Sequence, residues 1–309
     1  MIKRTLEISS EPAHLALRHQ QLLLQRNGET VRQVPCEDIG MVVVDHPQTT
    51  YTHNALAKLV ECGAAVVLCG RDHLPAAMLL PLGDHSQVVW RLADQMAVSR
   101  PTKKRLWTQL VRAKIRAQAL NLPPNLPARR KLLALVKEVK AGDTTNVEAR
   151  AARLYWQHWL ATSDAATLDT EPFRRDPKAA GLNPFLNYGY TILRAAISRA
   201  IVAAGLQPSL GLHHANRANL FCLADDLIEP FRPLVDDRVR DMWQQGHSEL
   251  NQAAKAELLG LLTLSLRMTA PDGSEQRGPL MVMLHRLVAS LVRCYAGEAK
   301  KLEIPRRCS

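Results

Sequence analysis

The sequence predicts an α+β fold: a small β-rich N-terminal domain followed by a larger all-α domain. Two observations carry this. Up to about residue 86 the apolar residues come in short runs broken by turn signals, and from Gln87 onward they recur at helical spacing. A third sets the scale, since 309 residues with 47% hydrophobic content are ample for two packed units.

The N-terminal strands are read from Leu6-Glu-Ile, Gln21-Leu-Leu-Leu, Met41-Val-Val-Val and Ala64-Ala-Val-Val-Leu. Asn27-Gly28, His46-Pro47 and Gly70-Arg-Asp separate them, and Asn27-Gly28 between apolar runs is a hairpin signal. Asn54 to Glu61 has helical spacing, with Asn54 as the expected N-cap. Beyond a linker or helix at 87–100, Leu106, Leu110, Ala113, Ala117 and Leu120 line one helix, which Leu122-Pro-Pro-Asn-Leu-Pro127 ends. Further helices are expected at 132–140, 145–159, 192–204, 224–229, 235–245, 255–266 and 280–295. The helical domain is placed at 101–299. A basic tail at 300–309 is expected to stay disordered until it meets a partner.

Composition narrows the function. No stretch approaches the roughly 20 apolar residues of a membrane helix, and the N-terminus lacks the apolar core of a signal peptide, so a cytoplasmic protein without membrane contact is expected. The six cysteines form no Cys-x-x-Cys pair, which argues against a zinc site or a disulfide framework. Net charge is +11, and twelve Lys or Arg against the single acid Glu138 fall between Arg100 and Lys140. On the first long helix Arg105, Arg112 and Arg116 lie near a common face away from the leucines. Such a one-sided block suits a DNA backbone, because each cation that neutralises a phosphate releases counterions.

Three segments carry candidate chemistry. Gly211-Leu-His-His precedes Asp225, Asp226 and Glu229, whose spacing places carboxylates on one helical face. Imidazole with carboxylates and no thiolate suits Mn²⁺ or Mg²⁺. An N-capped helix with acids in its first turn would read the same way. Glu148 sits just inside a helix start among Ala149, Ala151 and Ala152, small residues that admit a close neighbour. Leu182-Asn-Pro-Phe-Leu-Asn-Tyr-Gly-Tyr190 combines hydrogen-bonding groups with a packing glycine.

In this order these segments resemble the CRISPR-associated adaptation integrases, the first-numbered Cas family. The resemblance rests on Val147-Glu148-Ala149-Arg-Ala-Ala152, Asn183-Pro-Phe-Leu-Asn-Tyr-Gly-Tyr190, Gly211-Leu-His-His and Leu223-Ala-Asp-Asp-Leu-Ile-Glu-Pro-Phe-Arg-Pro233. The Gly-x-His-His form and the short length resemble type II systems of subtype C. Ala149 departs from the glycine many members have. The resemblance implies a metal-dependent DNA endonuclease and integrase that inserts captured DNA into a CRISPR array through 3′-hydroxyl attack on a phosphodiester. It implies that Glu148, His214 and Glu229 hold Mn²⁺ or Mg²⁺, with Asp226 near enough to assist. His214 is favoured by alignment back from Leu-Ile-Glu-Pro, and His213 is the fallback. Expected DNA contacts are Lys103, Lys104, Arg105, Arg112, Arg116, Asn187, Tyr188 and Arg232. Implied partners are double-stranded DNA, both captured fragment and repeat, a second copy joined through the β-rich domain, and the small dimeric second-numbered Cas protein in a heterohexamer. In type II systems the effector nuclease is a further partner. The basic block alone would also fit a nonenzymatic helical DNA-binding protein.

Overall fold

The computed structural model describes residues 3–81, 85–160 and 173–308. Two small sheets form the N-terminal part. In the first, β1 (Arg4–Ile8), β5 (Ile39–Val44) and β7 (Ala65–Cys69) run parallel and β8 (Pro75–Leu79) closes the edge antiparallel, in the order β1-β5-β7-β8. In the second the order is β4 (Glu29–Pro35), β3 (Gln21–Arg26), β2 (His14–Arg18) and β6 (Thr50–Tyr51). Asn27 and Gly28, both at positive φ, join β3 to β4 as the hairpin turn expected there. Helix α1 (His53–Glu61) is capped not by Asn54 but by Thr52, whose hydroxyl accepts from the Ala55 N–H at 3.2 Å.

Strand β5 is buried along its whole length, as a central parallel strand should be. Its alternate side chains serve two cores. Val42 and Val44 pack with Leu6, Ile8, Leu15 and Leu59 inside the N-terminal part, whereas Met41 and Val43 join Val67 against the helical core. A buried ion pair between Lys255 and Asp45, 2.5 Å apart, spans the same seam.

The helical part begins with α2 (Val88–Ala97), α3 (Arg100–Asn121), α4 (Pro127–Glu138) and α5 (Val147–His158). It continues through α6 (Asn183–Ala203), α7 (Cys222–Ile228), α8 (Arg232–Gln244), α9 (Gln252–Gly260) and α10 (Leu280–Tyr295). Among the described residues no helix is long and apolar enough to cross a membrane. Helix α6 crosses β7 and β8 on one side and packs on α7, α8, α9 and α10 on the other. Gly189 makes its contact with α8 possible, since a Cβ there would lie 2.4 Å from Val235 Cγ1.

The expectation of an all-α C-terminal domain is corrected by a three-stranded sheet. β9 (Ser265–Thr269) and β10 (Glu275–Pro279) form a hairpin, and β11 (Arg306–Arg307) pairs antiparallel on the far side of β9. The helix expected over 255–266 stops at Gly260. Leu266 and Met268 then face the core while Ser265 and Thr269 face solvent, an alternation of period two. The tail is not disordered. The Leu302 side chain is buried, its N–H donates to Gln109 Oε1 at 2.9 Å, and Arg306 and Arg307 complete the sheet.

Because Val235 can yield only by moving α8, Gly189→Ala is expected to destabilise the protein by about 1–3 kcal/mol. The denaturation midpoint reads this directly, and an unchanged midpoint would mean that the two helices are not held at this distance.

Candidate metal and nucleic-acid site

Three elements bring the candidate residues together. Helix α3 starts cleanly, with the Ser99 hydroxyl accepting from Thr102 N–H at 3.3 Å and Pro101 in the first turn. One stripe of it carries Trp107, Leu110, Val111, Lys114 and Gln118, all buried. Lys114 is therefore on the core face, not on the solvent face with the rest of the basic block.

Glu148 is fixed by the start of α5. The Asp143 carboxylate accepts from the Val147 and Glu148 N–H groups, both at 2.9 Å, and so caps two of the otherwise unpaired donors. Glu229 lies in a short 3₁₀ turn, Glu229–Phe231, that links α7 to α8, and it is 6% exposed.

Lys114 joins the two acids. Its ammonium donates to Glu148 Oε1 and lies 2.5 Å from Glu229 Oε2. The other Glu229 oxygen, Oε1, faces Arg232 Nε at 2.9 Å. Burial works to raise the Glu229 carboxyl, but Arg232, Lys114 and the nearby His214 hold it below its usual value. Burial likewise works to lower Lys114, and the Glu229 and Glu148 charges more than reverse it. Removing one member of such a buried cluster costs on the order of 3–5 kcal/mol.

The histidine turn is held from below by Asp226, which has no exposed surface. Its Oδ2 accepts from Leu212 N–H at 2.7 Å and His213 N–H at 2.9 Å, and its Oδ1 accepts from His214 N–H at 3.3 Å and from His214 Nδ1 at 2.6 Å. That hydrogen bond, above all, raises the His214 pKa, against the effect of partial burial. With Nδ1 engaged, Nε2 is the nitrogen left to meet a ligand. Gly211 has no room for a side chain, since a Cβ would lie 2.3 Å from the His214 carbonyl oxygen. The His213 ring does something different: it stacks flat on Trp107, with centroids 4.4 Å apart and planes at 1°.

Several expectations change here. Asp226 is fully occupied in holding the turn and has no free oxygen face for an ion. Asp225 turns away to Arg194 Nε at 2.7 Å and Asn219 Nδ2 at 2.7 Å. Tyr188 has no exposed surface and cannot reach DNA. Asn187 braces the segment before α6, accepting from Arg175 at 2.5 Å and donating to the Pro177 carbonyl at 2.8 Å. Arg232 pairs inward with Glu229 and lies over the Tyr190 ring at 4.7 Å. Arg112 donates to the Val139 carbonyl at 2.7 Å and so ties α3 to the end of α4. Lys104, Arg105 and Arg116 are exposed and Lys103 is half-buried. Partial burial and the neighbouring Arg306 and Arg112 lower the Arg116 guanidinium, which marks a crowded positive surface. Lys114 and Trp107 were missed as site residues. Their signal was a lysine seven residues from a tryptophan on the stripe that also carries Leu110.

The residues fit a divalent cation in chemistry and in charge. Among the described residues no three His, Cys, Asp or Glu side chains converge closely enough to enclose an ion as they stand. The point between the two glutamates is nevertheless already a cation position, filled by the Lys114 ammonium.

The family described as CRISPR associated protein Cas1 matches residues 6–269. The chain belongs to the Cas1 family. It is 36% identical to the CRISPR-associated endonuclease Cas1 of Neisseria meningitidis serogroup C over 94% of this chain and 92% of that protein. In fold it is similar to a casposase bound to integration product, with a TM-score of 0.77 at 19% identity over 97% of this chain and 93% of that one. It is also similar to a chain of a Cas6-RT-Cas1–Cas2 complex, with a TM-score of 0.67 at 17% identity over 97% of this chain and 35% of that one. The glutamates reach α3 at Lys114 and the histidine turn reaches it at Trp107, on one stripe of the helix.

Asp226→Asn would leave one acceptor oxygen for four donors and set an NH₂ group against N–H groups. A loss of about 3 kcal/mol is expected, with loosening of the 211–214 turn. Denaturation together with the His214 ring resonances measures both, and unchanged values would remove Asp226 from this role.

Proposed function

We propose that this chain is the endonuclease and integrase of a CRISPR adaptation system, joining captured DNA to an array by metal-dependent strand transfer. The observation that carries the reading is the convergence of Glu148 and Glu229 on one buried cation position beside a histidine oriented through Nδ1. Glu148, Glu229 and His214 would hold Mn²⁺ or Mg²⁺, and the geometry favours His214 over His213 because the His213 ring is committed to Trp107. When bound, the ion supplies Lewis acidity toward a phosphoryl oxygen and makes a 3′-hydroxyl a better nucleophile.

The protein groups do the rest. Asp226 keeps the His214 ring and its proton in place. Arg232 and Lys114 keep Glu229 ionised at a buried position. The exposed cations of α3 and α4, Lys104, Arg105, Arg116, Arg130, Lys131 and Lys137 among them, present a positive surface for a duplex backbone. The attacking 3′-oxygen forms the new P–O bond as the bond to the displaced 3′-oxygen breaks, so no covalent bond to the protein forms. The same chemistry with water as nucleophile is nicking.

The assembly is part of the same proposal: a homodimer, bridged to a second by a dimeric Cas2, acting on captured fragment and repeat DNA in a type II system, of subtype C, with the effector nuclease as a further partner. The reading draws on the fold it shares with Cas1 in a Cas2-containing complex. Apolar side chains bare in the single chain also support it: Val31, Tyr51 and Leu79 in the N-terminal part, and Val89, Trp90 and Met96 on α2.

The test uses a labelled 3′-hydroxyl duplex, a supercoiled plasmid carrying a repeat, and Mn²⁺, with and without Cas2. Wild type is expected to join duplex to plasmid, and Glu148→Ala to lose at least about a hundredfold in rate while still binding the duplex. Equal binding by both proteins, with neither joining nor cutting under any divalent metal, would reject the enzyme in favour of a DNA-binding protein.

A further inference from the structure

The metal-site reading leaves one buried group unexplained. Lys114 is the only cation bridging the two glutamates among the described residues, and it reaches them from a third element, α3. Its side chain is 11% exposed, against 26% for Glu148 and 8% for Glu229, so water does little to screen the cluster. The rest of the basic block, by contrast, lies largely on the solvent side of α3 and α4, where it can meet a polyanion. A lysine directed instead between two acids serves the acids.

We propose that Lys114 is a resident counter-cation of the metal site: it holds Glu148 and Glu229 together before metal arrives and must withdraw for metal to enter, so it sets the apparent metal affinity. The argument is steric and electrostatic. An ammonium in contact with both carboxylates occupies the place a divalent ion would take, and the two cannot share it. Without either cation, two carboxylates held by separate elements would repel across a poorly hydrated gap. Arg232 cannot substitute, because it engages only the opposite oxygen of Glu229. The flexible four-carbon stem of lysine allows withdrawal without movement of α3. Lys114 is thereby a positioning residue. Through it the two glutamates hold a built-in cation that gives way to an ion from solution.

The inference rests on Glu148 and Glu229 binding metal, and the experiment separates the two. Mn²⁺ binding is measured by electron paramagnetic resonance on the full-length wild type, Lys114→Met, Lys114→Gln, Lys114→Arg and Glu148→Gln, alongside melting temperatures with and without Mn²⁺. Lys114→Met keeps the stem and removes the charge. Lys114→Gln adds an amide donor that steadies the acids if the methionine variant does not fold. The neutral variants are expected to bind Mn²⁺ about tenfold more tightly than wild type. They should melt lower without metal and regain most of that loss when Mn²⁺ is added. Lys114→Arg, which keeps the competing charge, should show no such tightening. Equal or weaker Mn²⁺ binding by the neutral variants, with wild type binding and Glu148→Gln not, overturns the role of Lys114 and leaves the metal site standing. If wild type binds no better than Glu148→Gln, the metal site fails and this inference fails with it.

Discussion

Two carboxylates lie side by side in a protein interior only with positive charge between them or a proton shared by them. Glu148 and Glu229 do so here, on α5 and on the turn between α7 and α8, and Lys114 of α3 is the group that permits it. Much of the helical architecture serves this meeting. Gly189 lets α6 approach α8 closely enough to bring the Glu229 turn inward. Asn121 at the end of α3 donates to the Pro233 carbonyl at 2.6 Å and to the Tyr155 hydroxyl at 3.2 Å, which ties α3 to the start of α8 and to α5. Asp143 and Asp226 then fix the final approach of one glutamate and one histidine through backbone N–H groups, which hold a side chain more rigidly than packing alone.

Helix α3 is thus two-sided. Its inner stripe delivers Trp107 and Lys114 to the site, and its outer surface presents cations to solvent. A duplex gripped by the outer surface would be held by the same rigid rod that frames the chemistry. This gives a physical reason for so basic a segment immediately before the first glutamate. Position along the DNA and position of the acids are then set by one element, with no hinge between them.

Much of this was legible in the sequence. The apolar runs at Leu6, Met41 and Ala64 became strands, Asn27-Gly28 became the turn between β3 and β4, and α10 fell on the residues its spacing indicated. What escaped was short or two-faced. β6 and β11, two residues each, are too brief to show a period, and the helix expected over 255–266 runs into the start of β9 because Leu261, Leu262, Leu264 and Leu266 prolong an apolar run that began on α9. In the site, residue types were legible and roles were not. Asp226 reads as a ligand in a line of acids, yet it is spent on the backbone of the turn above it. Tyr188 and Arg232 read as surface donors, yet helix packing turns one into the core and the other onto Glu229. Lys114 was hidden by its neighbours: amid twelve basic residues, nothing but helical phase sets it apart.

Anomalous diffraction from crystals soaked in Mn²⁺ tests the proposed cation site of Glu148, Glu229 and His214. A single strong peak is expected between the two glutamates and within bonding distance of His214 Nε2, with the Lys114 ammonium moved off that point. A crystal that takes up Mn²⁺ only elsewhere, with Lys114 still bridging the acids, would contradict it.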